Sequence, residues 1–390
     1  MMRRIWSLMV AFWLALLPAA ALAGILTPPS GLTEIGEEAF AGMTSVTDVT
    51  LPEGMRSIGA GAFSGCVSLG TVYIPTSVDS IADDAFSGCP EDMLIYTSPG
   101  SYAMTFAQTH GADYDAGGVC RALVIGQSYE GNTAGLRTLE GPIGDAEAFA
   151  SFLQMWGRTM GTVSVQTNLT GSGILTAASA CFAGAQDADI SIFYYGGHGM
   201  VRSGESVLVG MGGTSDVLSA SDLYGALSQV RGRVVVIVDA CYSGGLITRG
   251  DSKTSGGDPA AFVSGFVSPF ASGGNRTLKT RSALTTDRFF VMASSAPDEQ
   301  SYEDVFWTSG GNEVYTGLFS YHLMLGCGFD AVNRVPVSWA ADQNGNAVIT
   351  FTEAFGFARD ETSAYVAPLG GKQNAVCWPD SAGFFGLFRY

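Results

Sequence analysis

Hydrophobic residues in the first third of the chain recur with a period of 23 residues. A unit of this length with regularly spaced aliphatic residues is typical of a solenoid, in which each rung buries its apolar face against the next. We therefore predict a solenoid of three rungs in residues 24–115, closed by a capping helix within residues 98–115. The positions that match from rung to rung are Ile35, Ile58 and Ile81; Phe40, Phe63 and Phe86; Pro29, Pro52 and Pro75; and Met43, Cys66 and Cys89.

From residue 119 onwards, short continuous apolar runs alternate with amphipathic stretches. Continuous apolar strands separated by helices predict an α/β fold with a mostly parallel sheet flanked by helices on both faces. In such sheets the ligand site lies beyond the carboxyl ends of the strands, which places chemistry after Tyr195 and after Asp239. The predicted strands are residues 119–125, 163–168, 190–195, 233–239 and 289–294, and the predicted helices are 143–156, 174–185 and 221–230.

The N-terminus carries the pattern of an export signal. Arg3 and Arg4 precede a long apolar run, and Ala21-Leu22-Ala23 supplies a small-x-small cleavage site. We predict that residues 1–23 are removed and that the mature chain is secreted or periplasmic. No later apolar run reaches the ~18 residues of a bilayer span, so we expect no membrane attachment after cleavage. An uncleaved membrane anchor is the alternative.

The formal net charge of −17 becomes −19 when Arg3 and Arg4 are removed. A field of this sign repels phosphate backbones, which argues against nucleic acid as a partner, and attracts basic peptides. The seven cysteines include no C-x-x-C pair, so a structural zinc site is not expected. Cys66 and Cys89 stand at equivalent places on neighbouring rungs, either as a disulfide or, as we favour, as two small buried thiols.

Two of the predicted strand ends lead into glycine-rich turns that carry a reactive side chain. Tyr195 is followed by Gly-Gly-His-Gly, which contains His198, and Asp239 is followed by Ala-Cys-Tyr-Ser-Gly-Gly, which contains Cys241. Imidazole exchanges protons near neutral pH and can activate a thiol for attack on a carbonyl. A single buried Cys or a lone His is more often structural, but their joint placement at strand ends predicts a catalytic Cys-His dyad.

The motifs Y-Y-G-G-H-G and D-A-C-Y-S-G-G resemble those of the caspase-like peptidases, especially the metacaspases and their bacterial relatives, over residues 119–390. The motif I-G-x-x-A-F-x-G-C, followed by an I-P step, resembles the BspA-like leucine-rich repeats of bacterial surface proteins over residues 29–97. The first resemblance implies that His198 and Cys241 form the dyad and that the amides of Gly199 and Cys241 bind the oxyanion. It also implies a thioester intermediate.

The same resemblance implies cleavage after Arg or Lys, because metacaspases place two acidic residues in the primary specificity pocket. The matching residues are Asp145 and Asp239. Two carboxylates can hold a guanidinium through charge-assisted bidentate hydrogen bonds. The alternative for Asp145 is an ordinary cap at the start of its helix. One departure from the family pattern is Gly196, where many metacaspases carry Ser, so one polar contact to the substrate is missing.

Residues 246–287 form a long segment rich in Gly, Ser and Thr, directly after the candidate nucleophile. A segment of this length and polarity predicts a surface loop. Its Arg and Lys residues would be cleavage sites for an enzyme with an acidic pocket, so self-cleavage is a hypothesis. A single intact mature chain in fully active enzyme, seen by mass spectrometry, would contradict it.

A further motif has the spacing of a calcium-binding EF-hand loop, although Ala347 stands where the loop requires Gly. No convincing incoming helix precedes it, because Pro336 intervenes. We favour the alternative, a turn that leads into a strand and a helix over residues 352–362. We expect that the protein requires no cofactor, and calcium binding is an alternative that the sequence leaves open. The calcium candidates are Asp342, Asn344, Asn346 and Glu353, with Thr350 at the ninth position.

Three functions fit these features. The first is a secreted cysteine endopeptidase that cleaves after Arg or Lys. The second is a surface adhesion or binding protein whose caspase-like domain has lost its activity, with the repeats binding a protein ligand. The third keeps the thiol chemistry but transfers the acyl group to an amine. Because His198, Cys241 and both candidate pocket aspartates are intact, we favour the endopeptidase.

Overall fold

The computed structural model of the protein describes residues 24–90, 93–98, 100–115, 117–155, 159–247, 289–342, 348–378 and 386–389. The chain divides into two compact units, with a boundary between Gly117 and Gly118. The predicted signal segment, most of the long loop and the centre of the calcium motif lie outside the described residues. Within the described residues, no helix is both long and apolar enough to cross a bilayer.

The first unit contains two parallel ladders in which the paired residues of successive rungs are 23 positions apart, such as Asp48 with Thr71 and Ile35 with Ile58; the last pairing, Leu94 with Asp113, spans 19 positions. The rings of Phe40, Phe63 and Phe86 stack on neighbouring rungs with centroids 5.4 Å apart. Helix α1 (Tyr102–His110) follows the last rung. One ladder contains β1 (Ile25–Leu26), β3 (Asp48–Thr50), β5 (Thr71–Tyr73), β7 (Leu94–Tyr96) and β8 (Asp113–Asp115), and the other β2 (Glu34–Ile35), β4 (Ser57–Ile58) and β6 (Ser80–Ile81).

The repeated thiols of this unit are free, as we favoured from the sequence. The Sγ of Cys66 donates to the carbonyl of Phe40, and that of Cys89 donates to the carbonyl of Phe63, each at 3.2 Å. The two bonds are the same contact one rung apart. A small side chain with a weak donor therefore explains why cysteine occurs at this place in the repeat.

The second unit is built on a six-stranded sheet in the order β10-β9-β11-β15-β16-β22. The first five strands are parallel, and the edge strand β22 runs antiparallel to β16. The predicted α/β class with a mostly parallel sheet is confirmed. Its strands are β9 (Cys120–Gly126), β10 (Met160–Thr167), β11 (Ile190–Gly196), β15 (Arg233–Asp239), β16 (Phe289–Ala293) and β22 (Val376–Trp378).

Helices cover both faces of this sheet. Alternate strand residues point to opposite sides, and the central strands are buried along nearly their whole length, so each face needs a layer of helices. Leu123 and Phe193 belong to the core cluster with Ile174 of one helix layer, whereas the ring of Tyr194 stacks on Phe149 of the other layer at 4.7 Å. The helices are α2 (Pro142–Gln154), α3 (Gly171–Cys181), α4 (Ala220–Leu227), α5 (Leu318–Gly326) and α6 (Phe351–Val366).

Several small ladders supplement the main sheet. One of them, β12-β13-β14, begins directly after His198, and another, the hairpin β17-β18, follows the strand β16. The hairpin was not predicted from the sequence. The strands are β12 (Gly199–Arg202), β13 (Glu205–Val209), β14 (Val217–Ser219), β17 (Glu303–Trp307), β18 (Glu313–Gly317), β19 (Phe329–Asp330), β20 (Val335–Pro336), β21 (Val348–Thr350) and β23 (Gly386–Arg389).

Candidate active site

The two strands that end in the predicted reactive residues are direct neighbours in the sheet. Gly196, the last residue of β11, pairs with Asp239, the last residue of β15. The N–H of Gly197 then donates to the carbonyl of Asp239 at 3.2 Å. This register places the turns that carry His198 and Cys241 side by side at the carboxyl edge of the sheet.

The imidazole of His198 is oriented by a main-chain carbonyl. Its Nε2 lies 2.7 Å from the carbonyl oxygen of Arg137. Because a carbonyl oxygen only accepts, the proton of the neutral ring is on Nε2, and Nδ1 keeps its lone pair. Nδ1 is therefore the nitrogen that can take a proton from a nucleophile.

The thiol of Cys241 is partly buried, and its Sγ donates to the carbonyl of Ser301 at 3.6 Å. Burial raises the pKa of this thiol, and the negative charges of Asp239 and Glu303 raise it further. The resting form is thus the thiol, which needs a base at the moment of attack. Tyr242, the next residue, has a left-handed backbone with φ of 60° and donates its N–H to the carbonyl of Glu299 at 2.8 Å.

The backbones of the two turns touch each other. A Cβ on Gly199 would lie 2.1 Å from the carbonyl oxygen of Cys241, so only glycine permits this approach. Among the described residues, no hydrogen bond joins the imidazole of His198 to the thiol of Cys241; their bonds go to Arg137 and Ser301. The structure therefore brings the turns together without a direct bond between the two side chains.

The two amides predicted to bind the oxyanion differ from the neighbouring amides in their hydrogen bonding. The N–H of Cys241 donates to no other described residue, whereas that of Tyr242 is bonded. In the β12-β13 ladder, Val209 donates to His198 at 3.1 Å, so the adjacent pair Gly199–Leu208 falls at the non-bonded position of an antiparallel ladder. The N–H of Gly199 consequently points away from β13.

Asp239 is a buried carboxylate held by three donors. Its Oδ1 accepts from the hydroxyl of Ser301 at 2.6 Å. Its Oδ2 accepts from the backbone N–H and the hydroxyl of Ser320 at 3.1 and 2.7 Å. Because Ser320 lies in the first turn of α5, the positive end of that helix also faces the carboxylate.

Asp145 is buried deeper, with 4% of its surface exposed. Its Oδ1 accepts from the hydroxyl of Thr316 and its Oδ2 accepts from the N–H of Gly317 at 2.9 Å. Both donors belong to the end of β18, so the carboxylate does not cap its own helix as the alternative required. Burial raises the pKa of Asp145 to about 8, the bonds from Gly317 and Thr316 oppose the rise, and the charges of Asp239 and Glu303 add to it.

The two predicted pocket residues converge on Gly317. A Cβ there would lie 2.4 Å from Oδ2 of Asp239 and 3.4 Å from Oδ2 of Asp145. Glu303, which pairs with Gly317 across the β17-β18 hairpin, adds a third carboxylate whose Oε2 accepts from the N–H of Gly141 at 3.1 Å. We call Asp145, Asp239 and Glu303 the acidic cluster.

Sequence reasoning missed Glu303 and the residues that hold the aspartates. The signal that could have found them is the run Ser301-Tyr302-Glu303-Asp304, which begins eight positions after the last residue of the buried strand β16. Gln373 was also missed. Its buried side chain donates to the hydroxyl of Ser301 and accepts from the N–H of Tyr302, both at 3.0 Å.

Two of the four calcium candidates lie within the described residues. Asn344 and Asn346 lie outside the described residues, and Asp342 is partly buried. Oε2 of Glu353 accepts from the N–H and the hydroxyl of Thr350, each at 2.9 Å, and forms a capping box at the start of α6. Within the described residues, no group of three or more potential ligand side chains is arranged for a metal ion.

Comparison with known families identifies the two parts of the chain. A model of the caspase domain matches residues 119–325, more than half of the chain. The chain belongs to the caspase domain family. A model of the BspA type leucine-rich repeat region matches six copies over residues 24–99. The resemblance to a caspase-like, cysteine peptidase-type family with N-terminal leucine-rich repeats is thus confirmed.

Solved structures give more distant likenesses. A protein from Geobacter sulfurreducens has a TM-score of 0.39 and 15% identity, over 68% of this chain and 96% of that one. Caspase-1 from Spodoptera frugiperda has a TM-score of 0.41 and 13% identity, over 67% of this chain and 86% of that one. No curated protein matches the chain.

Proposed function

We propose that this caspase-domain protein is a secreted cysteine endopeptidase that hydrolyses peptide bonds after Arg or Lys. Cys241 is the nucleophile and His198 the acid/base residue. The observation that carries the proposal is the contact between the Gly199 and Cys241 turns beside the acidic cluster. A substrate carbonyl at the junction of these turns would meet a thiol, an imidazole and unpaired main-chain amides.

The acylation step uses the proton positions described above. Nδ1 of His198 takes the proton from Sγ of Cys241 as the sulfur attacks the carbonyl carbon of the substrate. The carbonyl oxygen becomes an oxyanion, which the N–H groups of Gly199 and Cys241 stabilise. The C–N bond then breaks, the leaving amine takes the proton from His198, and a thioester to Cys241 remains.

Hydrolysis of the thioester reverses these roles. His198 takes a proton from water, and the resulting hydroxide attacks the thioester carbon through a second oxyanion. The C–S bond breaks, the carboxylic acid product leaves, and the proton returns to the sulfur of Cys241. An amine in place of water would give acyl transfer, the third function considered from the sequence.

The acidic cluster supports the preference for a basic residue. Asp145 uses one acceptor site on each oxygen, and Asp239 uses one on Oδ1 and two on Oδ2. Each carboxylate oxygen has about two such sites, so unused sites remain for a guanidinium or ammonium group. The negative charges of Asp239 and Glu303 also make an acidic side chain a poorer fit.

The remaining proposals follow from the sequence. The chain is exported after removal of residues 1–23, basic peptides or proteins are its substrates, and the leucine-rich repeats bind a protein ligand. Self-cleavage in the loop 246–287 would follow from the same specificity. Calcium is not required for the chemistry proposed here.

The decisive experiment measures cleavage of fluorogenic peptides that end in Arg, Lys, citrulline, Asp or Asn. We expect turnover of the Arg and Lys peptides by the mature chain and none by Cys241→Ala or His198→Ala. The matched control is Cys89→Ala, which removes a free thiol from the repeats and should retain full turnover.

Two outcomes would contradict the proposal in different ways. Preference for Asp or Asn would refute the role of the acidic cluster and leave the dyad standing. No turnover of any peptide by the wild-type chain, together with specific binding to a partner, would instead favour an inactive scaffold. Product analysis with added amine separates hydrolysis from acyl transfer.

A further inference from the structure

The imidazole of His198 is held by a single loop, residues 127–139, which we call the His loop. Tyr129 of this loop places its ring 4.6 Å from the imidazole, centroid to centroid, with the planes 31° apart. Its hydroxyl accepts from the backbone N–H of His198 at 2.9 Å, and Arg137 of the same loop accepts from Nε2. We infer that Tyr129 is a positioning residue for His198. The inference rests on the proposed function and deepens it.

The hydroxyl of Tyr129 is fully committed to the backbone around His198. It lies 2.7 Å from the carbonyl of Val209, which only accepts, so its single proton goes there. Its lone pairs face the N–H of His198 and the hydroxyl of Tyr195 at 2.9 Å. The single proton of the Tyr195 hydroxyl has three acceptors within reach: the Tyr129 hydroxyl, and the carbonyls of His198 and Val209 at 3.0 and 2.9 Å. The side chain of Tyr129 is fully buried, so water cannot replace these bonds.

The backbone of Tyr129 has a left-handed conformation, which orients its side chain towards His198. Tyr129 has φ of 61° and Asn168, beside it, has φ of 52°. A non-glycine residue in this left-handed region is strained and persists only where its surroundings enforce it. Oδ1 of Asn168 accepts from the N–H groups of Ser128 and Tyr129 at 2.9 and 3.1 Å. The carboxamide thus fixes the turn that aims the ring of Tyr129 under the imidazole.

The same loop fixes the Arg137 carbonyl. Nδ2 of Asn132 donates to the carbonyls of Tyr129 and Leu136 at 2.6 and 3.0 Å, and its Oδ1 accepts from the N–H of Leu136 at 3.0 Å. One turn therefore orients the face of the imidazole through Tyr129 and its edge through Arg137. Loss of Tyr129 would remove the ring that packs on the face of the imidazole and leave the N–H of His198 without this acceptor.

A positioning role affects chemistry more than binding, because the hydroxyl of Tyr129 bonds to the residues around His198 and not to the acidic cluster. In Tyr129→Leu we expect kcat for an Arg peptide to fall about 100-fold, the cost of a displaced catalytic group, while KM changes less than about twofold. Tyr129→Phe keeps the ring and loses the hydroxyl, so we expect a fall of about tenfold.

A second pair of variants tests the turn without touching Tyr129. Asn168→Ala removes the acceptor for Ser128 and Tyr129, whereas Asn168→Asp keeps an oxygen in that place. We expect Asn168→Ala to lose about tenfold more kcat than Asn168→Asp. The matched control is Tyr224→Leu, which removes a tyrosine that packs on Phe289 at 5.6 Å in the helix layer. It should reduce stability without a selective loss of kcat.

The rate of alkylation of Cys241 by iodoacetamide separates this inference from the proposed function. If the wild type cleaves Arg peptides and Tyr129→Leu keeps its kcat, the inference is wrong. If the wild type cleaves no peptide, the proposed function is wrong, and the alkylation rate of Cys241 still tests the inference. An alkylation rate in Tyr129→Leu as low as that in His198→Ala supports the inference. An alkylation rate in Tyr129→Leu equal to that of the wild type overturns it.

Discussion

If Asp145 binds a basic side chain as proposed, its raised pKa would make that binding depend on pH. The pKa is about 8 because the carboxyl is buried, with Asp239 and Glu303 nearby as further negative charges. In the free enzyme the carboxyl is therefore largely protonated at neutral pH, whereas a bound guanidinium favours the carboxylate. Binding of a basic side chain must release a proton, and the cost of that release grows as the pH falls.

The expected change in KM follows from the difference between the pH and the pKa of Asp145. Each pH unit below 8 costs about 1.4 kcal/mol, which is tenfold in affinity. Because half of the carboxyls are already ionised at pH 8, we expect KM for an Arg peptide to rise about fivefold from pH 8 to pH 7 and about 50-fold from pH 8 to pH 6. Above about pH 8.5 KM should level off, because Asp145 is then ionised before the substrate binds.

Steady-state kinetics from pH 6 to pH 9 with two peptides tests this expectation. The second peptide carries citrulline, which matches arginine in shape and lacks its charge, so its KM should vary little. In Asp145→Asn, KM for the Arg peptide should be high and lose its dependence on pH. A wild-type KM that stays flat from pH 6 to pH 8, with Asp145→Asn still raising it, would refute the reasoning.

Two further predictions concern buried polar groups. Burial lowers the pKa of His322 to about 4 from an ordinary 6.5, so its neutral form stabilises the fold above pH 6.5 and that stability is lost as the pH falls towards 4. Between pH 7 and pH 5 the free energy of urea unfolding of the wild type should fall by about 2 kcal/mol relative to that of His322→Gln, and an equal change in both proteins would contradict the assignment. Gln373→Met removes the bonds to Ser301 and Tyr302, and should raise KM for the Arg peptide about tenfold and for citrulline much less, whereas unchanged values would exclude a role in binding.

The elements that the sequence predicted share a strong local signal. β15 contains an unbroken run of β-branched residues, Val234 to Val238, which fits a strand buried on both faces. The stacked Phe40, Phe63 and Phe86 repeat every 23 residues, so the register of the solenoid could be read from spacing alone. The chemistry-bearing turns were found because they follow such strands directly.

The elements that were missed lack such a signal. The hairpin β17-β18 is partly exposed and begins with Glu303 and Asp304, so it shows no clear alternation of apolar and polar residues. The partners of the acidic cluster are also distant in sequence: Thr316 is 171 residues from Asp145, and Ser301 is 62 from Asp239. Bonds of this range are set by the packing of the sheet and helices, which no local pattern encodes.

The arrangement of the acidic cluster links substrate binding to the reactivity of the thiol. Asp239 ends β15 two residues before Cys241, and its negative charge, with that of Glu303, opposes ionisation of the thiol in the free enzyme. A guanidinium against these carboxylates would cancel their charge and so favour the thiolate once a basic substrate is in place. A neutral side chain in the same position would leave the charges unpaired and the thiol protonated. Under the proposed function, the carboxylates that bind the basic side chain would then also restrain the thiol of Cys241 until that substrate arrives.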